Sequence, residues 1–129
     1  MASNDRPLSP HLQIYRWQWT MALSILHRAT GVALSAGAVL LAGWLMTLAM
    51  GSAEFDILMG ILTSIPGQIC MIGWTWSIFY HLGSGIRHLF WDAGKGYSLP
   101  VAQISGYVVV GQSIVLTAAV WFGWLGALV

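Results

Sequence analysis

Three long stretches of this sequence carry no charged side chain, and they leave a chain of this size few ways to fold. Residues 29–50 hold no Asp, Glu, Lys or Arg, residues 57–86 hold none, and residues 103–129 hold none. A helix needs about 20 predominantly apolar residues to cross a ~30 Å hydrocarbon core. Inside lipid every backbone N–H and C=O must find its partner within the segment, and a helix supplies that. The expectation is an all-α integral membrane protein with three transmembrane helices, at about 25–50, 64–91 and 103–127, forming part of a multi-subunit helical bundle. Composition excludes the soluble alternative. Only 7% of the 129 residues are charged and 57% are apolar, against about 25% charged in a typical soluble domain.

The connecting segments divide the chain into an N-terminal cytoplasmic or interfacial part, 1–20, and a membrane anchor domain, 21–129. Pro7 and Pro10 forbid a continuous helix before about residue 11. Trp17 and Trp19 have the amphipathic rings expected at a headgroup boundary, as do Trp121 and Trp124 at the far end of the last span. Residues 51–56, with Glu54 and Asp56, read as a short loop. The second uncharged run is longer than a span needs. Pro66-Gly67 places the start of its helix near 64, with 57–65 as an interfacial stretch or a helical lead-in. Residues 92–100, rich in Gly and closed by Pro100, read as the second loop.

Arg6, Arg16, Arg28, Arg87 and Lys95 flank either the start of the first span or the join of the last two, and none lies in the first loop. The positive-inside rule then puts the N-terminus and the second loop on the cytoplasmic or matrix side. No secretory signal or Arg- and Ser-rich transit pattern precedes the first span, and the initial Met reads as a chain made without cleavage, as in a bacterium. There is no basic cluster for nucleic acid. The single Cys70 excludes an internal disulfide or a thiolate metal cluster.

Chemistry concentrates in two segments that this topology brings to one membrane face. In the first, Ser24, His27 and Arg28 share a helical face. In the second, Gly73, Ser77, His81 and Gly85 follow one another at one-turn intervals, with His88 roughly 10.5 Å beyond His81 along the axis. An ionisable group within a span is a functional-site hypothesis by default. One reading of His81 is a helix-packing histidine that donates to a neighbour. The other is an axial ligand to haem iron, with Gly73, Ser77 and Gly85 lining a slot and His27, Arg28, Arg87 and His88 near the propionates. A second ligand would then come from another chain. Ser24 and Arg28 read either as a local cap and a snorkelling arginine, or as donors to a quinone carbonyl that becomes negative on reduction. His88 and Asp92 read as a helix-end salt bridge.

Three motifs resemble those of the cytochrome b membrane-anchor family of succinate dehydrogenase (complex II). They are Arg6-Pro7-Leu8 with Ser9-Pro10-His11-Leu12, Ser24-x-x-His27-Arg28-x-Thr30-Gly31, and His81-x-x-x-Gly85-Ile86-Arg87-His88-Leu89-x-Trp91-Asp92-x-Gly94. The resemblance covers essentially the whole chain. It implies one of two small anchors that hold an iron–sulfur subunit and a flavoprotein subunit to the bacterial cell inner membrane, or to the mitochondrial inner membrane in a eukaryote. Succinate would be oxidised at the flavin, outside this chain, and electrons would pass through the iron–sulfur clusters to ubiquinone. The resemblance makes His81 an axial ligand of a haem b shared with the second anchor subunit, and makes Ser24 and Arg28 quinone-site residues. His27 and His88 would lie near the haem propionates, and the N-terminal motif toward the iron–sulfur subunit. It assigns this chain no catalytic residue for succinate oxidation. The alternative is a purely structural anchor without cofactor.

Overall fold

A computed structural model describes residues 11–51 and 53–126. The motif at residues 6–10, with Arg6, lies outside the described residues, as does the side chain of Trp124. After a single 3-10 turn, Leu12–Ile14, four α-helices follow: α1 (Trp19–Met50), α2 (Ala53–Thr63), α3 (Ile65–Asp92) and α4 (Leu99–Gly126). The protein is all-helical, as expected. The three long helices pack side by side, α3 lying against both α1 and α4.

Helix ends follow local chemistry. Gly51 closes α1 at φ 59, a left-handed conformation that costs glycine nothing, with its N–H on the Thr47 carbonyl. The expected loop at 51–56 is much shorter than anticipated, because α2 has already begun at Ala53. Glu54 and Asp56 stand in the first turn of α2, where the helix dipole favours negative charge. The acidic pair starts a helix rather than filling a loop.

Ser64 caps α3, its hydroxyl oxygen accepting from the Gly67 N–H, and Pro66 sits in the first turn, where its missing N–H costs nothing. α2 and α3 meet at 78°. A Cβ at Gly67 would collide with the carbonyl oxygens of Ile61 and Leu62, so only glycine lets α2 fold back so tightly. The helical lead-in before residue 64 is therefore real, but it lies across the bundle. At the other end, Pro100 opens α4 rather than closing a loop, so that helix starts earlier than 103. The turn between α3 and α4 uses positive φ at Gly94 (74) and Gly96 (82), and the Trp91 indole donates to the Gly96 carbonyl.

α1 and α4 are each long and apolar enough to cross a membrane, and α3 qualifies together with α2 as a bent pair. The 32 residues of α1 exceed what a ~30 Å core requires. α3 is less apolar because it carries Ser77, Tyr80, His81, Ser84, Arg87 and His88; the helix with the weakest membrane signature bears the polar groups.

Cross-helix contacts set the register. Trp74 lies on Gly37, Thr30 meets His81, and His27 meets His88, so α1 and α3 are antiparallel. Arg87 reaches Ala102 and Gln112 reaches Phe79, so α3 and α4 are antiparallel too. Tyr80 is fully buried, and its hydroxyl donates to the Leu23 carbonyl at 2.9 Å. Trp19 also packs within the bundle. It stacks on Tyr107 at 4.8 Å and covers Gly106. Trp121 similarly donates to Thr75 Oγ1. Trp17 is 76% exposed.

Candidate functional site

The start of α1 and the second half of α3 come together, as antiparallel packing of the two motifs requires. His81 is half-buried, and its Nδ1 lies 3.2 Å from Thr30 Oγ1. The same hydroxyl donates to the His27 carbonyl at 2.9 Å. Gly31 lies beside the ring: a Cβ there would stand 3.2 Å from His81 Cε1. Thr30 and Gly31 thus hold the Nδ1–Cε1 edge of the imidazole against α1. Among the described residues His81 Nε2 makes no hydrogen bond.

His27 packs face to face on His81, ring centroids 4.0 Å apart and planes 17° apart, and also stacks on His88 at 5.1 Å. Its Nδ1 is buried without a hydrogen-bond partner. His88 is exposed, and its Nδ1 contacts the Ser84 carbonyl at 2.8 Å. A carbonyl only accepts, so His88 Nδ1 carries the proton. The expected His88–Asp92 bridge therefore does not use that nitrogen, which is spent on its own helix, and Asp92 is exposed.

The small-residue stripe is not one straight groove. An α-helix turns through about 100° per residue, so each step of four drifts by roughly 40°. Gly73 and Gly85 face open space, while Ser77 is buried at 5% exposure with its hydroxyl on the Gly73 carbonyl. Ser77, expected to line a slot, is turned into the bundle, whereas an added Cβ at Gly85 would meet nothing.

Ser24 and Arg28 are exposed, one turn apart on the same flank of α1, to one side of the inward-facing His27. Their polar ends point out of this chain. Arg87 departs from the expected cluster. It is buried at 8% exposure against α4, where Nε donates to Ser105 Oγ at 2.9 Å and a terminal nitrogen to the Ala102 carbonyl at 2.6 Å. Its guanidinium lies 4.1 Å from the Trp91 ring centroid. Seven residues separate His81 from His88 but six separate it from Arg87, and that one-residue difference turns Arg87 to the opposite flank of α3. Beside Arg87, α3 and α4 enclose an apolar cleft of about 610 Å³ lined by Phe90, Val101 and Val108.

Two contributors carried no signal that periodicity reads. Thr30 is a named position of the second motif, but nothing in its spacing assigns it a partner. Tyr80 belongs to no motif, and its bond to the Leu23 carbonyl appears only once α1 and α3 pack.

Residues 2–120 match the family described as succinate dehydrogenase/fumarate reductase transmembrane subunit. The chain is 45% identical over 118 residues, 92% of each chain, to the succinate dehydrogenase cytochrome b556 subunit of Rickettsia felis. It is 41% identical to the protein of the same name from Paracoccus denitrificans, over 87% of this chain and 86% of the other. It is 46% identical to the mitochondrial succinate dehydrogenase cytochrome b560 subunit of Sus scrofa, over 83% of this chain and 64% of the pig protein.

Proposed function

The chain belongs to the succinate dehydrogenase/fumarate reductase transmembrane subunit family, and from that premise we propose that it is the cytochrome b anchor of a succinate:quinone oxidoreductase. In this reading His81 supplies one axial ligand to a haem b shared with a second anchor subunit, and Ser24 and Arg28 form part of the ubiquinone-reduction site. The observation that carries it is the state of His81: an intramembrane imidazole held by its Nδ1 edge, with Nε2 unengaged.

The residues present fit a haem. A b-type haem would ask the protein for ligating nitrogens, a flat approach and donors for two carboxylates. His81 offers the nitrogen. Gly85, where an added Cβ would meet nothing, offers the approach. The buried, unpartnered Nδ1 of His27, the exposed His88 and the exposed Arg28 are donors near the same end of the bundle. The relatives are named cytochrome b556 and b560, in keeping with a b-type haem. When bound, the haem supplies one-electron redox chemistry.

What this chain's own groups do is bind and orient. The Arg28 guanidinium carries a fixed positive charge and Ser24 a hydroxyl. In this reading both donate to a quinone oxygen at the membrane face, which gains negative charge as it is reduced. Succinate oxidation belongs to the flavoprotein subunit, with the iron–sulfur subunit as conduit. Surfaces for the second anchor subunit and for lipid are abundant, since Val32, Val39, Leu89, Tyr107 and Val115 are all more than 60% exposed. Arg16, Arg28, Arg87 and Lys95 gather at one end of the bundle, which we take as the cytoplasmic side of a bacterial inner membrane, or the matrix side of a mitochondrial one.

The deciding experiment is a dithionite-reduced minus oxidised spectrum of the purified complex, wild type against His81→Ala. Loss or displacement of the haem bands in the variant is expected. An unchanged spectrum would remove His81 as a ligand, and a haem-free wild-type complex would leave only the structural anchor.

A further inference from the structure

Thr30 is placed to do more than fill a turn. A threonine hydroxyl carries one hydrogen. Thr30 Oγ1 gives that hydrogen to the His27 carbonyl, one turn back on α1, at 2.9 Å. A carbonyl has nothing to donate in return, so the direction of this bond is fixed. The oxygen's lone pairs are then what His81 Nδ1 meets at 3.2 Å. With the hydroxyl's hydrogen on the His27 carbonyl, the contact is satisfied when that nitrogen bears the ring proton. A neutral imidazole has one protonated and one bare nitrogen, and the bare one is Nε2.

Gly31 supports the same orientation sterically. Its missing side chain leaves the space that Cε1 occupies, 3.2 Å from where a Cβ would sit, so the Nδ1–Cε1 edge stays against α1. Thr30 is itself 3% exposed, and water does not compete for its oxygen. His27, stacked on the His81 ring face, limits the remaining rotation.

We propose that Thr30 is the positioning residue for His81: its hydroxyl fixes the Nδ1–H tautomer, presents a bare Nε2 to the iron, and sets how strong a ligand that nitrogen is. This rests on the reading of His81 as the haem ligand. A ligating histidine whose other nitrogen donates a hydrogen bond is more basic, and such outer contacts are worth about 10–100-fold in metal affinity or activity. A more basic ligand favours ferric over ferrous iron. Taking the acceptor away weakens the ligand and raises the haem's midpoint potential.

The test uses the assembled, membrane-extracted complex and reads haem content and midpoint potential by optical redox titration, with Thr30→Val, Thr30→Ser and His81→Ala side by side. Thr30→Val keeps the volume and loses the acceptor, and an upward shift of potential with a lower haem-to-protein ratio is expected. Thr30→Ser restores the acceptor and should return both to wild-type values, which a purely packing role would not require. Thr30→Ala is scored by the same criterion should the valine variant fail to assemble. Wild-type potential and haem content in Thr30→Val or Thr30→Ala, alongside an altered His81→Ala spectrum, would overturn the role of Thr30 and leave the ligand standing. An unaltered His81→Ala spectrum would overturn both.

Discussion

The ring of His27 lies 4.0 Å from the ring of His81 and within 17° of parallel to it, although the two residues stand on antiparallel helices. His27 also stacks on His88 at 5.1 Å, and so fills the gap between two α3 residues separated by roughly 10.5 Å of helix axis. A single α1 side chain thereby braces two imidazoles of α3. The three rings are a packed unit rather than three separate polar groups.

Removing the brace should loosen the site without removing its ligand. His27→Leu keeps an apolar contact but loses the flat stacking surface and the buried Nδ1. The expected result is a weaker hold on haem, by about 10-fold, the lower end of the range for residues that support a metal ligand. His88→Leu, at an exposed position, should have the smaller effect. The haem-to-protein ratio after extended detergent washing measures both. Equal losses would mean that the stack has no special role.

Arg28 is exposed and packs against little within its own chain, so its replacement should leave the fold of this subunit intact. Arg28→Leu is expected to lower quinone reduction by about 10²–10³-fold, the usual cost of losing one donor aimed at developing negative charge. Succinate oxidation with a soluble artificial acceptor should persist. Arg28→Lys should recover part of the rate, since it restores the charge but not the forked geometry. Parallel loss of both activities would indicate failed assembly.

Much of this was legible in the amino-acid order, and the failures have identifiable causes. Uncharged length gave the three spans, and Lys and Arg placement gave the antiparallel arrangement that brings Ser24, His27 and Arg28 toward His81 and His88. What periodicity could not reach was the azimuth of each side chain once the helices met. Arg87 is one position from His88 and turns the other way, into Ala102 and Ser105. The four-residue stripe drifts around α3, so Ser77 faces inward while Gly73 faces out. Trp19 reads as a boundary anchor because it is an aromatic ring near a span's start; only the crossing of α1 and α4 reveals its stacking on Tyr107. The proline rule worked at both Pro66 and Pro100, yet Pro100 begins a helix where it was expected to end a loop.

Tyr80 tests the α1–α3 interface by itself. Its hydroxyl, fully buried, donates to the Leu23 carbonyl at 2.9 Å, an oxygen that also serves the helix ladder. Tyr80→Phe keeps the ring packing on Trp76 and leaves no orphan donor behind. The expected loss is therefore that of one net hydrogen bond, about 1 kcal/mol, read as a small fall in the unfolding temperature of the detergent-solubilised complex. Tyr80→Ala, which also removes the ring, should cost about 3–5 kcal/mol by analogy with other large aromatic truncations. A tyrosine-to-phenylalanine change as severe as the alanine one would mean that the hydroxyl, not the ring, holds the two helices together.

The bend between α2 and α3 gives the sharpest structural prediction. Ser64 bonds the Gly67 N–H and donates to the Ile61 carbonyl at 2.6 Å, which fastens the end of one helix to the start of the next. At Gly67 the approach is close enough that an added methyl would meet the backbone oxygens of Ile61 and Leu62. Backbone carbonyls cannot rotate aside as a side chain can, so Gly67→Ala must partly straighten the 78° bend. Overpacking of this kind costs about 1–3 kcal/mol. Spin labels placed on exposed positions of α2 and α3, such as Ile57 and Ile72, should move apart in the variant, while the His81 region at the far end of α3 keeps its spectrum. Ser64→Ala should loosen the same joint by about 1 kcal/mol, the cost of a lost helix cap, without forcing it open. An unchanged label distance in Gly67→Ala would show that α2 can slide along α3 and that the glycine is not what permits the bend.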